Sequence, residues 1–367
     1  MKKIFVILSA IILAIAFAMP ASAVDWDFYA SVRMQTFNTN ADEKNTFYGG
    51  TGFDDRDSTW ALNTVSRIGA TVRNGDVGGR FEYGHNDTNS VVSLRRLYGT
   101  WDFGPGELLV GREYTPIHFV TGKVYDNDGG LRRFGGFFSF RPMIQVKIDD
   151  FKLALISPNN GAPDNNGSNT ATVEGWSNDN TYPKVEASYT FAMDTLSVRL
   201  FGGWNGYEAA NATDKMYSIN SYIYGVAGIV NVGPVTMKAM IWDGQNVGLY
   251  GLTTIHEVDS NPDWDATAAS VRNNESYGGV ASVGVKINDT VGIEAGFGYV
   301  SAKDDLVGKD DNDEAWAAYL QAPVTLAQGV TVVPEIGHYD YEKNGTVGND
   351  LDQGYETYFG AKWQIAF

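Results

Sequence analysis

The side chains able to do chemistry in this chain are mostly basic, and they are spread through alternating stretches rather than gathered in motifs. Arg67, Arg73, Arg80, Arg96, Arg141, Arg199, Lys147, Lys184 and Lys362 mostly stand on the parity opposite the apolar residues of their segments. Arg112 is harder to orient, because Leu108 and Val110 share its parity. Between residues 114 and 136 a long connection carries Asp126, Asp128, Arg132 and Arg133. No Gly-x-Ser-x-Gly elbow and no His-Glu-x-x-His pair accompanies them, and His85, His118, His256 and His338 are dispersed. Bond making is therefore not the chemistry on offer. Charges that face a narrow gap can instead create a field, which orients water and ranks ions by sign.

The elements that would hold such charges are strands. Residues 24–37 place Trp26, Phe28, Ala30, Val32 and Met34 on one parity, and Asp25, Asp27, Tyr29, Ser31, Arg33 and Gln35 on the other. Residues 138–148 and 355–367 alternate in the same way. A charged side chain on a lipid-facing parity costs roughly 2–4 kcal/mol near the bilayer midplane, so the basic parity must face water. Short turns are expected at Asn74-Gly75-Asp76, Gly104-Pro105-Gly106, Asp149-Asp150, Ala192-Met193-Asp194, Gly233-Pro234, Asn288-Asp289 and Ala327-Gln328-Gly329. Longer connections fall near residues 38–58, 85–90, 114–136, 157–181, 205–216, 243–275, 302–313 and 341–353. Seven turns and eight loops separate sixteen strands, the pattern of an all-β transmembrane antiparallel barrel. Trp60, Trp204, Trp242 and Trp316 then fall at external strand ends and Trp26, Trp101 and Trp363 toward the opposite rim, where indole prefers the membrane interface.

Composition sets further limits. Lys2 and Lys3, the apolar residues 4–18 and Ala21-Ser22-Ala23 form the three-part pattern of a secretory signal peptide. Residues 1–23 are expected to be removed and residues 24–367 to form the barrel. The absence of cysteine excludes a disulfide scaffold and a thiolate metal site. Without Lys2 and Lys3 the net charge moves from −17 to −19, which argues against nucleic acid as a partner. Much of the acid lies in the expected external loops, at Asp304, Asp305, Asp310, Asp311, Asp313 and Glu314, and at Asp243, Glu257, Asp259, Asp263 and Asp265. Solvated loops, or divalent cations bridging to lipopolysaccharide, would each account for this. No complete metal-ligand or cofactor pattern is present.

Four stretches resemble the general trimeric porins of the Gram-negative outer membrane. Residues 358–367 look like the terminal strand read by the barrel assembly machinery, ending in Phe367. Ser66-Arg67-Ile68-Gly69 and residues 97–104 look like the second and fourth strands. Residues 106–112, followed by Pro116, resemble the strand end that leads into an inward-folded third loop. The resemblance implies a homotrimer and a water-filled channel for passive diffusion of small hydrophilic solutes. It also implies Arg112 on the pore wall, so that Arg96, Arg112 and Arg141 come from adjacent strands near Arg67. In Gly130-Leu131-Arg132-Arg133-Phe134-Gly135-Gly136 the sequence departs from the family, holding Arg133 where a cation-preferring porin has a glutamate. A weakly anion-preferring or poorly selective pore is expected, with Arg67, Arg96, Arg112, Asp126, Asp128, Arg132, Arg133 and Arg141 at its constriction. Two alternatives stay open: a substrate-specific porin for anions or sugars, and a surface adhesin barrel that binds through its long loops.

Overall fold

A computed structural model of the chain describes residues 24–42, 44, 55–86, 91–158, 177–179, 182–210, 215–252, 261–265, 269–304, 312–342 and 352–367. The expected signal peptide, part of the acidic loops (Asp305, Glu257, Asp259, Asp310 and Asp311) and Trp176 lie outside those residues.

Among the described residues nineteen strand segments make one sheet, and three staves of the barrel are each built from two segments, so the staves number sixteen. They are β1 (Asp25–Ala41), β2 (Asp55–Leu62 with Arg67–Asn74), β3 (Val77–Asn86), β4 (Val91–Asp102), β5 (Glu107–Tyr114), β6 (Phe140–Ile148), β7 (Phe151–Ile156) and β8 (Ser177–Asp179 with Lys184–Ala192). The second half is β9 (Leu196–Ala210), β10 (Met216–Val232), β11 (Val235–Gln245), β12 (Asn274–Lys286), β13 (Gly292–Asp304), β14 (Asp313–Gln321 with Val324–Ala327), β15 (Val330–Asp340) and β16 (Tyr355–Ala366). Each stave pairs antiparallel with its sequence neighbour. β16 closes the barrel on β1, in a register running from Ser31 opposite Ala366 to Ala41 opposite Glu356. Closure leaves no open edge, so the backbone donors of the paired staves find partners within the wall. The last residue is part of the seam: Ala30 N–H donates to the Phe367 carbonyl at 2.7 Å, and Phe367 N–H returns the bond to Ala30 at 3.0 Å.

The interruptions have local causes. β14 breaks at Ala322 and Pro323, where proline lacks the N–H that a ladder needs. β2 breaks at residues 63–66, which loop around one residue of β1. Asn63 N–H donates to the Arg33 carbonyl at 2.8 Å, and Arg33 N–H donates to the Ser66 hydroxyl at 2.9 Å.

All seven short turns lie where the turn residues place them. The connection expected at 205–216 is shorter than that, because β9 runs to Ala210 and β10 starts at Met216, paired over their whole common length. The outside is apolar: Phe28, Ile68, Val110, Ile241, Ile336 and Phe359 are all exposed. Trp26, Trp60, Trp101, Trp204 and Trp363 are exposed on it, but Trp204 is in mid-strand, because β9 continues to Ala210. Trp242 departs from the expected girdle. It is 4% exposed and points into the barrel, because β11 is covered there by the third loop. An apolar outside around a charged, hydrogen-bonded inside is the arrangement of a barrel that crosses a bilayer.

Candidate functional site

The third loop, residues 115–139, does not stand out from the rim. It folds into the lumen as a flattened hairpin, with Phe119 and Phe137 exchanging backbone hydrogen bonds at 2.9 and 3.0 Å. Its apolar side chains explain why: Ile117, Phe119, Val124, Leu131, Phe134 and Phe137 are buried in one cluster with Trp242, Tyr319, Tyr339 and Tyr358 of the wall. Gly135, at φ +96°, lies so close to the Gly279 and Tyr299 backbone that a methyl there would sit 2.6 Å from either carbonyl oxygen. Only glycine lets the loop press on the wall at this point. The neighbouring Gly135 carbonyl accepts the Trp242 indole N–H at 2.8 Å.

Wall carboxylates complete the anchorage. Glu335 of β15 accepts the backbone N–H groups of Val124 and Tyr125 at 2.7 and 2.9 Å, and the Tyr358 hydroxyl at 3.0 Å. Glu294 of β13 accepts Gly122 N–H at 3.0 Å, and Glu356 of β16 accepts the Tyr125 hydroxyl at 2.7 Å. Lys123 is buried among the Tyr125, Tyr339 and Tyr358 rings, at 5.0, 4.9 and 5.4 Å from their centres, and donates to the Tyr125 carbonyl. Desolvation pushes its ammonium down to about 8. His118 is stacked on Tyr114 at 4.1 Å, and burial, aided by Arg199, pushes it down to about 3, so it stays neutral.

The loop tip faces the opposite wall with charge. Asp126, Asn127 and Asp128 all have positive φ, an αL run that non-glycine residues adopt only under tertiary constraint. The constraint is visible. Asp128 pairs with Arg33 of β1 at 2.5 Å and with Lys362 of β16 at 3.1 Å. The Asn127 side-chain Oδ1 accepts Thr64 N–H at 2.9 Å from the break in β2. Asp126 is bound within the loop, by Arg132 at 3.4 Å and Arg133 at 3.2 Å.

On the adjoining wall, Glu82 of β3 is the centre of an arginine cluster. Its side chain is fully buried between Arg95 at 2.9 Å, Arg80 at 3.1 Å and Arg67 at 3.7 Å, and it accepts the Tyr29 hydroxyl at 2.8 Å. Arg96 bonds Glu113 of β5 through Nε at 2.9 Å. Arg95 and Arg96 both point inward because the β3–β4 register slips there: Glu82 stands opposite Arg96, and Tyr83 opposite Leu94. The extra residue is a β-bulge, and it turns two consecutive guanidiniums to one face. Among these described groups, eight cations share four carboxylates.

Of the residues picked from sequence, Asp126, Asp128, Arg132 and Arg133 lie together at the loop tip, while Arg67 and Arg96 stand on the wall, paired with Glu82 and Glu113. Arg141 stands on the inward register of β6, opposite Glu113 and one strand further round. Arg112 is elsewhere. It lies opposite Leu97 on β4 and Pro142 on β6, both outward-facing, and its guanidinium stacks 4.5 Å over the Phe140 ring while Nε bonds the Arg95 carbonyl. Directly opposed residues share a face of a sheet, so the register takes Arg112 out of the lumen. Sequence reading missed Arg33, Arg80, Arg95, Lys362, Glu82 and Glu113 as partners. Parity alone already turned Arg33, Arg80 and Lys362 inward. The odd spacing of Leu94 and Leu97 was the signal for the bulge at Arg95.

The sequence matches no family model and no curated protein. Solved structures match over nearly the whole chain. The outer-membrane channel DcaP of Acinetobacter baumannii is 16% identical, covers 94% of this chain and 97% of its own, and gives a TM-score of 0.73. OmpT in its trimer form, an outer-membrane protein of Vibrio cholerae, is 15% identical over 93% and 99%, with a TM-score of 0.57. An anion-selective porin from Comamonas acidovorans is 12% identical over 94% and 100%, also with a TM-score of 0.57. Sixteen antiparallel staves, closed on themselves and with a third loop in the lumen, give this chain the fold of the outer-membrane porins.

Proposed function

We propose that the protein is an outer-membrane channel for passive diffusion of small hydrophilic solutes and ions, with a weak preference for anions. One observation carries the reading: the third-loop tip and the inner wall beside it, β1 to β5 with Lys362 of β16, bring eight cations to four carboxylates inside a closed barrel whose outside is apolar. A positive excess in a confined, partly low-dielectric passage raises the local concentration of anions. Arg67, Arg96, Arg132, Arg133, Arg141, Asp126 and Asp128 would form this constriction, with Arg33, Arg80, Arg95 and Lys362 added. The described residues of the site offer charges that can rank solutes by sign, which supports a channel.

The wider assembly belongs to the same proposal. Export on a signal peptide of residues 1–23, a homotrimer such as the one OmpT forms, recognition of Phe367 by the barrel assembly machinery, and contact with outer-membrane lipid and lipopolysaccharide all follow from a porin's life cycle. Single-channel recording in a planar bilayer under a salt gradient tests the core of it. Weakly anion-selective steps in groups of three are expected. Strong cation preference would overturn the selectivity, and silence from a folded barrel would overturn the channel.

A further inference from the structure

The connection between β11 and β12 was expected to be an external loop, yet its first part enters the barrel. Gln245 and Glu275 still pair across the hairpin. The chain then turns inward at Asn246 (φ 52°) into a single 3-10 turn, Val247–Tyr250, which ends at Gly251 (φ 94°). Val247 and Tyr250 are fully buried, and Leu249 and Leu252 nearly so. Four apolar side chains within six residues explain the direction, since a loop standing in water would expose them all.

The turn is fixed on three sides. The Tyr250 hydroxyl donates to the Ser221 carbonyl of β10 at 3.1 Å, and its ring leaves no room for a side chain at Gly203 of β9. Asn246 accepts Asn274 N–H at 2.9 Å and donates to the Asn220 carbonyl at 2.9 Å. On the third side Gly251 abuts the end of the third loop: a methyl there would sit 2.9 Å from Ser139 Cβ and 3.4 Å from the Phe138 carbonyl. Beneath the turn lies an ion pair, Lys184–Glu186 at 2.9 Å, with both side chains fully buried. Lys184 also donates to the Leu249 carbonyl at 3.3 Å and lies 4.7 Å from the centre of the Tyr250 ring. Charges on an inward parity are sealed from water here because this turn covers them.

We propose that residues 246–252 are a second constriction element, which props the closing limb of the third loop and shuts the β8–β10 side of the lumen to solute. Flow is thereby confined to the arginine-lined side. The proposal rests on the channel reading, and its test is built so that the two can fail separately. Residues 246–274 are replaced by a four-residue Asn-Gly-containing turn between Gln245 and Glu275, and Tyr250→Ala serves as a milder variant should the excision misfold. Single-channel conductance is compared with that of the full chain. In parallel, Ser221→Cys is introduced in each background, the chain having no cysteine of its own, and labelled with a small water-soluble thiosulfonate. A conductance gain of at least one-half, with labelling slow in the full chain and at least tenfold faster in the variants, is expected. Unchanged conductance in a folded variant, or equal labelling rates, would overturn the proposal. A silent full-length protein would overturn the channel reading instead, and the labelling contrast would still decide whether the turn seals the wall.

Discussion

The two sides of the third loop use the same residue types for opposite ends. Toward β13–β16 the wall carboxylates Glu294, Glu335 and Glu356 receive loop N–H groups and tyrosine hydroxyls, and a single lysine is enclosed by aromatic rings. Toward β1–β5 the carboxylates Glu82 and Glu113 receive guanidiniums, and cations outnumber them. On the first side the acid satisfies buried donors that would otherwise cost about 1–3 kcal/mol each. On the second side it restrains a repulsion that is only partly cancelled. A carboxylate's place in this barrel is thus decided by what it faces, backbone amide or side-chain cation, and only the second kind leaves a field in the passage.

That contrast can be broken from either side. Glu335→Ala strands two loop N–H groups and the Tyr358 hydroxyl, and is expected to cost about 3 kcal/mol or more of folded-state stability. A lower urea midpoint in lipid, together with noisier open-channel current, would show it. Lys123 gives the same side a pH signature. Its ammonium is held near 8 in the folded barrel, against about 10.5 in an unfolded chain. Between those values the unfolded chain binds more protons, so this group's contribution to stability rises with pH from about 8 to 10.5 and is flat below 8. The stability difference between the native chain and Lys123→Met should therefore move in the native chain's favour on going from pH 8 to 9.5. A pH-independent difference would mean that the ammonium is solvated. Trp242→Phe keeps an aromatic side chain but loses the bond to the Gly135 carbonyl and part of the indole's buried volume, for about 1–2 kcal/mol by the same unfolding measurement. On the charged side Arg67→Gln is the gentlest probe, since its contact to Glu82 is the longest of the three. A unit charge acting over roughly 8 Å of water is worth about 0.5 kcal/mol, with opposite sign for anion and cation, so the anion-to-cation permeability ratio should fall roughly fivefold. Arg112→Gln, with its guanidinium outside the lumen, should leave the reversal potential where it was.

How much of this was legible in the sequence follows from which interactions are local. Period-two alternation and turn chemistry are local, so the sixteen staves and all seven turns could be read, as could the inward parity of Arg67, Arg141 and Lys362. Arg95 could not be read by parity, because a bulge inserts one residue and reverses the count. Arg112 was placed by resemblance, against a parity that had already set it with Leu108 and Val110, and the register followed the parity. Trp242 has the spacing of a girdle tryptophan, but a loop more than a hundred residues away in the chain covers its strand. The inward turn of residues 246–252 was missed for the same reason. Its apolar residues were in plain view, but the surface that receives them is assembled from β8, β9, β10 and the third loop.

Asp128 bridges Arg33 on the first stave and Lys362 on the last. Its binding site does not exist in a half-made barrel, because the two cations are brought together only when the chain's ends meet. The left-handed tip that Asp128 belongs to therefore has no stable resting place until then. The last contacts of the loop tip thus need a closed seam, and substitution of Asp128 is expected to weaken the closed barrel more than any half-made one.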